Sequence, residues 1–126
     1  MPENGTNTCI VLHLRFKLRV SPSVFLAKSR EAATTIASLE GLIWKIWVLS
    51  EENSELGGIY LFADRGAAKA YLSHPVIQAM YNHPAVASGE SQLWDVDRSL
   101  SVLTRGPLLG IHPPYFEPDA LQAQDR

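Results

Sequence analysis

Between residues 8 and 19 apolar and polar side chains alternate with a period of two. Ile10, Leu12, Leu14, Phe16 and Leu18 fall on one face, and Cys9, Val11, His13, Arg15 and Lys17 on the other. This pattern predicts a strand with one strongly apolar side. Ser21-Pro22 then offers an N-cap followed by proline at the first helical position. Phe25, Ala32, Ile36 and Leu39 supply a buried stripe for a helix running to Leu39, where Glu40-Gly41 ends it. Two β-branched and aromatic runs, residues 42–49 and 57–63, flank the polar loop 50–55 and predict a strand pair. Asp64 caps a second helix over residues 65–73, Pro75 turns the chain, and residues 76–82 form a short extra helical piece. Residues 92–97 read as a fourth strand. The order β-α-β-β-α-β predicts an α+β, ferredoxin-like fold, an antiparallel four-stranded sheet with helices on one face.

The second and third strands lack a polar face. Leu42, Trp44, Ile46 and Val48 alternate with Ile43, Lys45, Trp47 and Leu49, and Tyr60 and Phe62 oppose Ile59 and Leu61. A sheet face open to water should be polar. An apolar one marks an interface, so the pattern predicts a homodimer in which two sheets meet face to face. The alternative is a monomer whose C-terminal segment covers the sheet.

A chain of 126 residues with 46% hydrophobic and 19% charged residues is expected to fold as one globular domain, here residues 1–105. Residues 106–126 hold four of the eight prolines and read as a tail packing on the body or on the partner, while residues 1–7 read as loose. A net charge of −2 gives no support for nucleic-acid binding. The single cysteine, Cys9, excludes an internal disulfide. The polar start does not read as a signal peptide, and no apolar run approaches the roughly 20 residues that cross a bilayer, so a cytoplasmic protein without membrane contact is expected. No glycine-rich phosphate loop and no His/Cys/carboxylate cluster with metal spacing is present, so neither a metal nor another cofactor is expected.

The central stretch carries a resemblance. Gly41, Trp44, Lys45 and Trp47, then Ser50, Glu51 and Asn53, then the Gly57-Gly58-Ile59-Tyr60-Leu61-Phe62 run with Asp64, then Ala68 and Ala70-Tyr71-Leu72, together resemble the YdhR-type monooxygenases. Leu12-His13 on the first strand fits as well, and the likeness covers roughly residues 8–98. It implies a dimeric α+β barrel and a pocket inside each subunit, between helices and sheet. Leu12, Leu14 and Phe16, with Trp44 and Trp94, are the side chains expected to face that pocket. Such an apolar, aromatic lining suits a flat hydrophobic substrate, an aromatic or polyketide-like small molecule. The plainer reading is that these residues are simply core.

Tyr71-Leu72-Ser73-His74-Pro75 resembles the Tyr-x-x-His-Pro-x-His segment of related barrels, including polyketide cyclases, in which the Tyr and the second His form an acid–base pair. Ile77 occupies the second His position, so that dyad is absent. Tyr71 remains a candidate for orienting the substrate, and His74 and His83 are the candidate bases, although His74 also suits a structural role at the helix end. Tyr81 is a candidate substrate contact from the link before the fourth strand, and His112 could close a pocket if the tail folds over it. His13 reads as an interface group on the partner-facing side, where Arg15, Lys17 and Lys45 could pair with Asp95, Asp97 or Glu51. Three functions follow. The first is cofactor-independent oxygenation, in which the substrate's own carbanion or enolate reduces oxygen. The second is cyclisation or isomerisation by acid–base catalysis, and the third is non-enzymatic small-molecule binding by a stress-type dimer.

Overall fold

The computed structural model of the protein describes residues 9–108, so residues 1–8 and 109–126, with His112 and most of the proline-rich tail, lie outside the described residues. The chain divides into two compact units, Met1–Val96 and Asp97–Arg126. The first contains β1 (Ile10–Leu18), α1 (Pro22–Leu26), α2 (Arg30–Ala37), β2 (Leu42–Ser50), β3 (Glu55–Phe62), α3 (Arg65–Leu72), α4 (Pro75–Tyr81) and β4 (Val86–Asp95). The described part of the second holds α5 (Arg98–Leu103), whose first turn is capped by Asp97 accepting from Leu100 N at 2.9 Å.

The four strands form one antiparallel sheet in the order β2-β3-β1-β4. This is the ferredoxin-like arrangement that the element order predicts. β1 is the best-buried strand on its helix side: Leu12 and Leu14 are fully inaccessible, and Ile10, Phe16 and Leu18 nearly so. Tyr60 and Phe62 of β3, Ile36 of α2, Ala68 and Tyr71 of α3 and Ile77 of α4 complete the core. Its apolar burial supplies the main driving force for folding.

Three local features depart from the pattern read off the chain. The first helix is two helices. Lys28 N bonds Phe25 O at 3.1 Å and Ser29 N bonds Leu26 O at 2.9 Å, closing α1 with three-residue turns before α2 begins. The fourth strand starts at Val86, six positions before the expected residue 92, and pairs with β1 along its whole length. After the buried Val86 its residues are small or polar, Ala87-Ser88-Gly89-Glu90-Ser91, so hydrophobic alternation does not announce them, and the strand is fixed by backbone pairing to β1. The third feature is a bulge in β2. Leu42 pairs with Phe62 but Trp44 pairs with Leu61, leaving Ile43 as the extra residue. Beyond the bulge the parity reverses, so Lys45 and Trp47 share the helix-covered face with Tyr60, while Trp44, Ile46 and Val48 take the opposite face with Leu61.

Gly41 adopts φ 87°, in the left-handed region, and a Cβ there would sit 2.5 Å from Ala67 Cβ. The residue that ends the helical region thus also lets the chain entering β2 lie directly on α3.

Candidate active site

Between the helices and the sheet lies a cavity of about 690 Å³. Its floor is laid by the two central strands and one edge strand: Phe16 of β1, Leu56, Gly57, Gly58 and Tyr60 of β3, and Lys45 and Trp47 of β2. Val24 and Phe25 of α1 and Ala32, Thr35 and Ile36 of α2 form the roof. Tyr71 of α3, Ile77 and Met80 of α4, and His83 close the sides. The loop carrying His83 is fixed to the end of β1 by Arg19, whose Nη1 donates to Pro84 O at 2.8 Å and Val86 O at 2.9 Å.

Polar atoms enter this apolar space at few points. The Tyr60 and Tyr71 hydroxyls meet at 2.8 Å, buried. Burial, reinforced by the neighbouring Tyr71, pushes the Tyr60 phenol far above its ordinary range, and burial pushes Tyr71 up to about 12. Both are therefore neutral phenols near pH 7, able to donate but not to act as bases. Lys45 brings an amine to the floor, while Lys28 and Glu31 reach the lining from exposed positions at the helices. The Lys45 Nζ lies 3.3 Å from the Trp47 ring centroid and 4.6 Å from that of Tyr60. Burial lowers its pKa from 10.5 to about 7. Gly58 makes this placement fit: a Cβ there would lie 2.8 Å from Lys45 Cε and 2.8 Å from Tyr60 Cε1.

The expected site residues are distributed unevenly around this space. Phe16, Tyr71 and His83 line it. Leu12 and Leu14 lie beneath it, in the sealed core, and do not reach it. Tyr81 stands behind Phe16, edge-on at 5.0 Å and 70°, in a slot kept open by Gly89, whose Cβ would be 2.8 Å from Tyr81 Cε1. Trp44 and Trp94, expected to face the pocket, lie outside it. The β2 bulge turns Trp44 to the other face of the sheet, and Trp94 pairs with Val11 on that same face, half exposed. Trp47 takes the place in the cavity expected of Trp44.

His74 is the N-cap of α4, its Nδ1 accepting from Val76 N at 3.0 Å, and it does not line the cavity. His83 Nδ1 accepts from Ala85 N at 3.0 Å, and its ring stands edge-on to Phe25 at 5.0 Å. A neutral imidazole that accepts through Nδ1 carries its proton on Nε2. In that tautomer the ring nitrogen left over, Nε2, is a donor.

His13 lies on the opposite face of the sheet, between Ile59 and Gln92. The charge pairings expected there are different. Arg15 meets Glu55 at 3.2 Å and Glu90 at 4.0 Å, Lys17 donates to Asn53 O, and Asp95 pairs with Arg65 at 2.6 Å. Glu51 accepts from Ser23 N at 2.9 Å and from the Ser21 and Ser23 hydroxyls, and these bonds hold its carboxyl below the ordinary range. Lys45 belongs to the cavity instead of this group. Alternation places Lys45 and Trp47 together, and the bulge, by pairing Lys45 with the core residue Tyr60, turns them to the cavity. Among the described residues no group of three His, Cys, Asp or Glu could hold a metal, and no helix is long and apolar enough to cross a membrane.

The family model described as "Putative mono-oxygenase ydhR" matches residues 11–107. No curated protein matches the chain. Among solved structures, SnoaB of Streptomyces nogalater, a cofactor-independent oxygenase, superposes with a TM-score of 0.60 at 17% identity, covering 74% of this chain and 97% of that one. The NE2512 protein of Nitrosomonas europaea, of unknown function, superposes with a TM-score of 0.59 at 18% identity, covering 72% and 91%. Rv0793 of Mycobacterium tuberculosis gives 0.59 at 14% identity, covering 73% and 99%. At these identities the likeness to the solved structures carries the fold.

Proposed function

The chain belongs to the ydhR mono-oxygenase family, and on that premise we propose that it oxygenates a hydrophobic aromatic or polyketide-like small molecule held between helices and sheet, without a bound cofactor. The observation that carries this reading is the cavity itself, whose volume suits a drug-sized ligand and whose walls are aromatic and aliphatic with few polar groups. The similar fold of SnoaB, itself a cofactor-independent oxygenase, supports it. Such a reaction balances without an external reductant. A substrate methylene and O2 give a carbonyl and water, the four electrons coming from the substrate. The protein has to help remove a proton, hold the anion and exclude bulk water.

We further infer that the working form is a homodimer in a cytoplasmic setting. Ile46, Val48 and Trp94 stand exposed on the sheet face away from the helices, and a second copy seated there would bury them. The test of the reaction is a panel of polycyclic phenols and ketones under air and under nitrogen. One oxygen atom from labelled O2 in the product, with turnover abolished under nitrogen, is expected. A product isomeric with the substrate, formed equally without oxygen, would overturn oxygenation and replace it with cyclisation or isomerisation.

A further inference from the structure

Lysines on a sheet ordinarily run their stems over apolar surface and leave the amine in water. Lys45 runs inward. Its neighbours across the strand pair are Tyr60 and, opposite Trp47, Gly58. The missing side chain at Gly58 is the space through which the Lys45 stem passes. The amine ends on the faces of Trp47 and Tyr60, and none of the ion pairs among the described residues includes it. Lys45 is only part-buried by its accessible surface, but an ammonium partly withdrawn from water without a carboxylate beside it is still costly, and an anionic ligand would relieve that cost. The other polar groups around the same cavity are ill-suited to remove a proton. Tyr60 and Tyr71 are neutral phenols bonded to one another. The Nδ1 of His83 is occupied. Lys28 and Glu31 reach the lining from the exposed side of the helical roof.

We propose that Lys45 is a catalytic residue whose amine takes the proton from an acidic O–H or C–H of the bound molecule and then holds the resulting oxyanion, which restricts the substrates to phenols and enolisable ketones. This rests on the oxygenase reading of the same cavity. The step converts a neutral amine and a neutral substrate into an ammonium and an anion. The anion reduces O2 and becomes a peroxide anion, which recovers the proton from the ammonium. The hydroperoxide then loses water to give the carbonyl, and the amine returns neutral. Because burial brings the Lys45 pKa to about 7, both forms of the amine are populated near neutral pH, where a general base works best.

A probe that needs no turnover separates this idea from the oxygenation itself. 2-Naphthol and its anion absorb at different wavelengths, so absorbance reads the ionisation of the ground state. Bound to the full chain it should ionise at least one pH unit below its value in water, a tenfold bias toward the anion. Lys45→Met should abolish the shift and lower kcat/KM by about 10²- to 10⁴-fold. Lys45→Arg, which keeps the charge but gives up no proton, should retain anion binding and lose turnover. Gly58→Ala, which crowds Lys45 Cε and leaves the amine in place chemically, should weaken both in a protein whose circular dichroism is unchanged. Naphthol ionising identically in the wild type and Lys45→Met would overturn the proposal, even if oxygenation of other substrates were found. So would a Lys45→Arg variant that turns over at the wild-type rate.

Discussion

The helix-covered face of the sheet and the opposite face are drawn from the same four strands, yet they are closed to different degrees. Leu12, Leu14 and Phe62 on the covered side have no accessible surface, whereas Ile46 and Trp94 on the other side keep 52% and 51% of theirs. The division follows position in the sheet. The central strands β1 and β3 supply the sealed residues, and the edge strands β2 and β4 supply the exposed apolar ones. Edge strands therefore carry the groups that remain available to other molecules. On β2 the two kinds alternate residue by residue: Lys45 and Trp47 face the cavity, Ile46 and Val48 the outside. One nine-residue strand thus serves both the proposed ligand and the proposed partner.

The largest expected difference between the faces is in stability. Leu14→Ala removes a side chain with no accessible surface and should lower the unfolding free energy by about 2–5 kcal/mol. Val48→Ala, on the half-open side, should cost less than about 1 kcal/mol at protein concentrations low enough to keep the chain monomeric. Urea denaturation of both variants at one protein concentration checks this, and equal costs would mean that the outer face is as tightly packed as the inner one. Next comes association. Ile46→Glu places a charge in the outer apolar patch and should weaken self-association at least about tenfold, or 1.4 kcal/mol, with the cavity's affinity for 2-naphthol kept. Sedimentation velocity reads the first and fluorescence titration the second. A variant that remains a dimer would place the partner elsewhere.

The first strand was plain in the sequence because its alternation is unbroken. Each inward residue of β1, from Ile10 to Leu18, is buried as its period of two requires. Parity arguments failed at β2, where a single extra residue, Ile43, exchanged the two faces and moved Trp44 out of the site and Trp47 in. Nothing local to residues 42–50 signals that bulge, since both faces of the strand are apolar and either register would satisfy them. The beginning of β4 was hidden for the opposite reason: its small polar residues have no pattern, and pairing with β1 makes them a strand. The histidines are a question of geometry. The sequence puts His74 before Pro75, which suits a helix cap as well as a base, and only the 3.0 Å bond from Val76 N decides for the cap. Lys45 was legible as a charge within an apolar run, but its inward turn depends on the bulge, which pairs it with Tyr60 across the strands.

The pH dependence of stability reports on the inner face alone. Lys45 has a pKa of about 7 in the folded chain against 10.5 in the unfolded one. Below pH 7 both states hold the proton, and the folded state bears the cost of an ammonium partly withdrawn from water. Between about 7 and 10.5 the unfolded chain binds more protons than the folded one, so stability should rise with pH across that window, by at most about 1.4 kcal/mol per unit. Above 10.5 both forms are neutral and the contribution levels off. Lys45→Met should be more stable than the wild type at pH 6 and should flatten the slope between 7 and 10, as followed by urea midpoints at each pH. An identical rise in the variant would mean that the amine is solvated, and would remove the physical reason for its turn into the cavity.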